Sequence, residues 1–107
     1  MYVKPSQFRG ILANDLPAGQ AAELAATQRP LAASALADVS GPPAWASIPS
    51  WAVFGTADHA IPPAALEFMA KRAHATVTMI NGGSHLSLIS HPGQVTNVIE
   101  EAARQTS

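Results

Sequence analysis

Apolar and polar positions change their spacing partway along the chain. Residues 1–16, MYVKPSQFRGILANDL, hold no sustained period, although Phe8, Ile11 and Leu12 suit one apolar helical turn. From Pro17 the stretch PAGQAAELAATQR is rich in strong helix formers and opens on a proline suited to a first helical position. Its stripe of Ala21, Leu24, Ala25 and Gln28 is thin, which predicts a surface or lid helix that Pro30 ends. PLAASALADV predicts a second short helix with Leu31, Ala35 and Leu36 turned inward. Ser40–Pro49 carries three prolines and a glycine and reads as a linker.

Beyond the linker the pattern sharpens. Trp51–Phe54 is a short, uninterrupted apolar run closed by Gly55, the mark of a strand buried on both faces. Residues 62–73 open on prolines and repeat Ala65, Leu66, Met69, Ala70 and Ala73 at helical spacing, with Lys71 and Arg72 at the end where cations suit the dipole. Ala75–Ile80 is β-branched and reads as a second strand. HPGQVTNVIEEAARQ then places Val95, Val98, Ile99, Ala102 and Ala103 on one helical side.

The order strand, helix, strand, helix implies an α/β fold. Strands linked by a helix pair in parallel through a right-handed crossover. The loops after Gly55 and Ile80 then emerge at one carboxyl edge, where ligands and catalytic groups gather in open α/β sheets. Those loops carry Asp58 and His85. Alone, Asp58 reads as a turn or helix-cap aspartate, and His85 as a histidine bonded to backbone. Together over one crevice they make a different unit. A carboxylate accepting Nδ1–H fixes the imidazole tautomer and leaves Nε2 as a base.

Composition narrows the alternatives. Of 107 residues, 48% are hydrophobic and 12% charged, which fits a packed domain, but much of the apolar content is alanine and only six residues are aromatic, so the core is modest. The net charge of −1 and the scattered Lys and Arg argue against nucleic-acid binding. Without cysteine, disulfides, thiolate metal sites and cysteine nucleophiles are excluded. No apolar run reaches membrane-spanning length and MYVKPSQF lacks a signal-like apolar region, so a cytoplasmic location is expected. Asp58, His59, His85 and His91 show no H-x-x-x-H or H-E-x-x-H spacing, and no metal or other cofactor is expected. His59 is expected at the surface or pocket rim, His74 at a helix end, and His91 where the last helix begins. Trp45 and Trp51 are expected to pack against further sheet rather than line a substrate pocket.

IPSWAVFGTADHAIPPAALEFMAKRA and GGSHLSLISHPGQVTNVIEEAA together resemble the C-terminal end of α/β-hydrolases, in particular an esterase-like subgroup. The likeness runs from about Trp45 to Ala103. It rests on the Pro49-led strand, the Gly55-x-x-Asp58 turn, the Ile61-Pro62-Pro63 helix start, and Ser84-His85 ahead of His91-Pro92. Residues 1–44 resemble, more weakly, the helical cap preceding this strand, so the expected division is a cap-like segment and linker at 1–44 and the C-terminal portion of a hydrolase domain at 45–107. The resemblance implies that Asp58 is the acid and His85 the base of a Ser-His-Asp triad acting on a small-molecule ester.

The family's nucleophile lies upstream on a G-x-S-x-G elbow, and no such motif occurs in these residues. Ser84 adjoins His85, and neighbouring side chains in extended backbone point apart, so Ser84 is expected to hold the turn. The oxyanion-hole loop also belongs upstream. The expectation is a chain carrying half of a site, a fragment or truncated product inactive alone. Two other readings stand beside it: a non-catalytic α/β module that binds or self-associates through its open sheet edge, and a relative with an aspartate nucleophile for epoxides or haloalkanes.

Overall fold

The prolines decide where several helices begin. In the computed structural model, which describes residues 1–107, Pro5, Pro63 and Pro92 each open a helix in the first turn, where a missing N–H costs nothing. The elements are α1 (Pro5–Leu12), α2 (Ala18–Thr27), β1 (Trp51–Gly55), α3 (Pro63–Arg72), β2 (Thr76–Ile80), the single turn α4 (Ser87–Ser90) and α5 (Pro92–Thr106). Short 3₁₀ turns occupy Ala33–Leu36 and Ala44–Ala46. β1 and β2 pair in parallel from Trp51 opposite Thr76 to Gly55 opposite Ile80, with α3 as the crossover. This is an α/β fold whose two-stranded parallel sheet and flanking helices fit the C-terminal part of an α/β-hydrolase.

The main core does not lie on the sheet. Phe8, Ala13, Leu16, Ala21 and Ala25 form the buried cluster where α1, α2 and their connecting turn meet. Leu86 and Ile89, from the segment after β2, pack against it. Gln28 ties the start of the chain to the end of α2: its Oε1 accepts from the Val3 N–H at 3.0 Å and its Nε2 donates to the Val3 carbonyl at 2.8 Å. The stripe of α2 thus faces inward, with Ala21 and Ala25 buried and Leu24 and Gln28 half-buried.

Three sequence expectations need correction. The helix expected across Leu31–Val39 is only the 3₁₀ turn at Ala33–Leu36, and Leu31 and Leu36 are exposed rather than inward. Its alanines offer little area to bury, and no neighbouring element supplies a surface. β1 is not buried on both faces: Phe54 and Gly55 are buried, whereas Trp51, Ala52 and Val53 are half-covered. α3 and α5 show the same shortfall. Leu66, Ala73, Val95, Val98 and Ala102 are half-buried, but Ala65, Met69, Ile99 and Ala103 lie exposed. A sheet of two strands is too narrow to cover both helical stripes.

Candidate active site

A contact between two glycines brings the loops after β1 and β2 together. A Cβ on Gly55 would overlap the Gly83 carbonyl, so only glycine permits the approach. Around it the backbone is stitched by Thr56 N–H to the Ile80 carbonyl and Ala57 N–H to the Gly83 carbonyl, both 3.0 Å. The Gly82 N–H donates to Thr56 Oγ1 at 2.8 Å, and Gly82 has a φ of 74°, in the region glycine adopts most easily.

Three residues past Gly55, Asp58 is 5% exposed and uses its two oxygens differently. Oδ1 accepts the N–H groups of Ala60 and Ile61 at 2.8 and 2.9 Å, shaping the turn into α3. Oδ2 lies 2.8 Å from His85 Nδ1. The turn-aspartate and histidine-partner readings are therefore both realised, one on each oxygen. Burial alone would raise the Asp58 carboxyl, but the hydrogen bonds from Ile61, His85 and Ala60 prevail and hold it below the ordinary carboxylate range. Asp58 stays an anion, and an anion beside Nδ1 favours the tautomer with its proton there. His85 Nε2 makes no hydrogen bond within the chain, and the side chain is 35% exposed. An imidazole so held presents a proton acceptor to whatever occupies the adjoining space.

A second cluster lies behind the first, and sequence reasoning missed it. Asp15, on the turn between α1 and α2, accepts with one oxygen from the Ser84 N–H at 3.0 Å and the Ser90 hydroxyl at 2.6 Å. His91 Nε2 lies 3.2 Å from the same Oδ2. Desolvation raises the Asp15 carboxyl, yet the bonds from Ser84 and Ser90 outweigh it and the group sits below its usual value. The separations from Asp15 are 69 residues for Ser84 and 75 for Ser90, so no local motif announces the cluster.

Ser84 is fully buried and its backbone joins the Asp15 cluster, which accords with a turn-holding role. His59 is exposed, with Nδ1 2.9 Å from the Gly10 carbonyl. His74 closes α3 with a φ of 54°. His91 caps the start of α5 as expected and reaches Asp15 as well. No three His, Asp or Glu side chains converge in a metal-ligating arrangement. No helix is long and apolar enough to cross a membrane. Trp45 and Trp51 line an open apolar groove of about 550 Å³ between β1 and α3, together with Leu66, Met69, Ala70 and Ala73; neither Asp58 nor His85 borders it.

The fold is an α/β arrangement in which a carboxylate and an imidazole meet on successive loops at one sheet edge. A sequence model of the alpha/beta hydrolase family matches residues 3–98, nearly the whole chain. The chain belongs to that family, and the match reaches into the N-terminal helices as well as the sheet. Comparison with curated proteins and with solved structures produced no match.

Proposed function

We propose that this chain supplies the acid and the base of a carboxylesterase-like Ser-His-Asp triad, Asp58 and His85, and that the serine lies outside these 107 residues. The observation that supports the reading best is the 2.8 Å contact between Asp58 Oδ2 and His85 Nδ1, with Nε2 left without a partner. In the assembled site Nε2 takes the proton of the attacking serine hydroxyl as its oxygen bonds to the ester carbonyl carbon. Asp58 stabilises the imidazolium, which then gives its proton to the departing alcohol. A water molecule, deprotonated by the same nitrogen, releases the acyl group. Residues 1–44 act as a cap-like segment beside this site, and the substrate is a small ester.

The missing G-x-S-x-G motif and the buried, turn-bound Ser84 support the further reading that the chain alone does not turn over. The test uses the reading frame immediately upstream. A longer polypeptide carrying an elbow serine should hydrolyse nitrophenyl esters and lose roughly 10³-fold or more in kcat with His85→Ala. Activity indifferent to both His85→Ala and Asp58→Asn removes the proposal. Serine-dependent activity of the 107-residue chain, abolished by Ser84→Ala, would reassign the nucleophile.

A second reading has one observation of its own. Both strands of the sheet keep an unpaired edge, which suits a non-catalytic module that self-associates by adding strands. Size-exclusion chromatography separates the two. A sharp, cooperative thermal melt from a monomer favours an independently folded module over a fragment, and association that grows with concentration favours strand-edge assembly.

A further inference from the structure

The His85 loop is pinned on both sides of its histidine by the turn that joins α1 and α2. On one side the Ser84 N–H donates to Asp15 Oδ2 at 3.0 Å. On the other the Leu86 N–H donates to the Leu12 carbonyl at 3.0 Å. Farther along, Ser90 Oγ at 2.6 Å and His91 Nε2 at 3.2 Å reach the same Asp15 oxygen. A single carboxylate oxygen thus holds the beginning and the end of the stretch in which His85 sits.

The turn bearing Asp15 is itself well fixed. Its neighbours Ala13 and Leu16 are buried in the main core, the Leu16 N–H donates to the Ala13 carbonyl at 3.0 Å, and Arg9 Nε donates to the Leu16 carbonyl at 3.1 Å. Asp15 is therefore a rigid post. An imidazole orienting to a carboxylate within hydrogen-bond range needs its backbone set to a few tenths of an ångström, and the supporting shell sets it.

From this we infer that Asp15 is a positioning residue: acting through Ser84, Ser90 and His91, it keeps His85 Nδ1 against Asp58. The inference rests on the proposed acid–base role of Asp58 and His85. Asp15 touches neither the imidazole nor the reacting atoms. Its effect is on how much of the time His85 holds the bonded orientation.

The experiment is NMR on the isotope-labelled full chain. It reads the His85 Nδ1 proton, by its exchange with solvent, and the Asp58 carboxyl titration. In the parent chain the Nδ1 proton should be protected, and Asp58→Asn should abolish that protection. Asp15→Ala should accelerate exchange about tenfold, the size expected for losing one charge-assisted bond from the loop. It should also move the Asp58 midpoint up toward the ordinary carboxylate value. Asp15→Asn, which keeps an oxygen for the Ser84 N–H, should fall between. Should Asp15→Ala fail to fold, Ser90→Ala and His91→Gln decide, each expected to accelerate exchange by a smaller factor.

Folded Asp15 variants with unaltered Nδ1 exchange and unaltered Asp58 titration overturn the inference and leave the Asp58–His85 pair standing. An Nδ1 proton indifferent to Asp58→Asn overturns the pair itself, and the inference with it.

Discussion

Gly55 and Gly83 meet backbone to backbone, and that contact sets how near the two loops of the site can come. A methyl group on Gly55 would occupy the space of the Gly83 carbonyl, which is main chain and cannot swing aside. Gly55→Ala should therefore destabilise by about 3 kcal/mol, the upper end for overpacking, and should loosen the Asp58–His85 contact. Gly82→Ala meets no neighbour and bears only the strain of a φ of 74°, roughly 1 kcal/mol. Thermal melts of the two variants should rank them in that order.

Asp58→Asn should do more than remove a charge. The N–H groups of Ala60 and Ile61 both donate to Oδ1, so the amide oxygen of an asparagine must take that position. Its NH₂ then faces His85 Nδ1, which has to accept. The proton moves to Nε2, which is then no longer a free acceptor. Imidazole ¹⁵N shifts should report the change of tautomer, and the backbone amides of the Ala60 turn should stay in place.

Acid should weaken the fold through two carboxylates. Asp15 and Asp58 both sit below their ordinary value in the folded chain, despite the opposing effect of burial. A depressed folded-state value means that the unfolded chain binds protons first as pH falls. The stabilisation is thus fully present above the unfolded carboxylate value, about 4, and is lost as pH drops through the folded values. Urea melts from pH 6 down to about pH 2 should show stability declining in that window. The double variant Asp15→Asn, Asp58→Asn should start less stable and show a flatter dependence.

Phe8 is the largest side chain in the N-terminal core cluster. Phe8→Ala should cost about 3–5 kcal/mol if the site fails to collapse. Because Leu86 and Ile89 pack on this cluster, the damage should spread to the His85 loop. Amide exchange should rise at residues 84–90 as well as in α1 and α2, whereas a loss confined to the first 28 residues would show the two regions to be independent.

How far the chain could be read in advance depended on whether the deciding interactions were local. The runs Trp51–Phe54 and Ala75–Ile80 announce strands by apolar continuity and β-branching, and the segments after Pro63 and Pro92 announce helices by their repeat, all of them local signals. Their order then puts Asp58 and His85 at one edge. The segment Leu31–Val39 misleads because alanine favours a helix intrinsically, while a lasting helix needs a surface to cover. Asp15 was illegible for another reason. Its donors come from the far end of the chain, and a short carboxylate in a turn looks like any other turn aspartate. The role of Gly55 was hidden similarly, since a required absence of side chain has no pattern until the opposing backbone is known.

The post at Asp15 carries an expectation for the order of folding. β1, α3 and β2 are consecutive, and their pairing spans few residues, so the sheet can close early. The bonds that seat the histidine join positions 69 and 75 residues apart and must wait until the first two helices return across the whole chain. Protection of the His85 Nδ1 proton should accordingly appear only after the strands have paired, an order that pulse-labelled exchange during refolding would read.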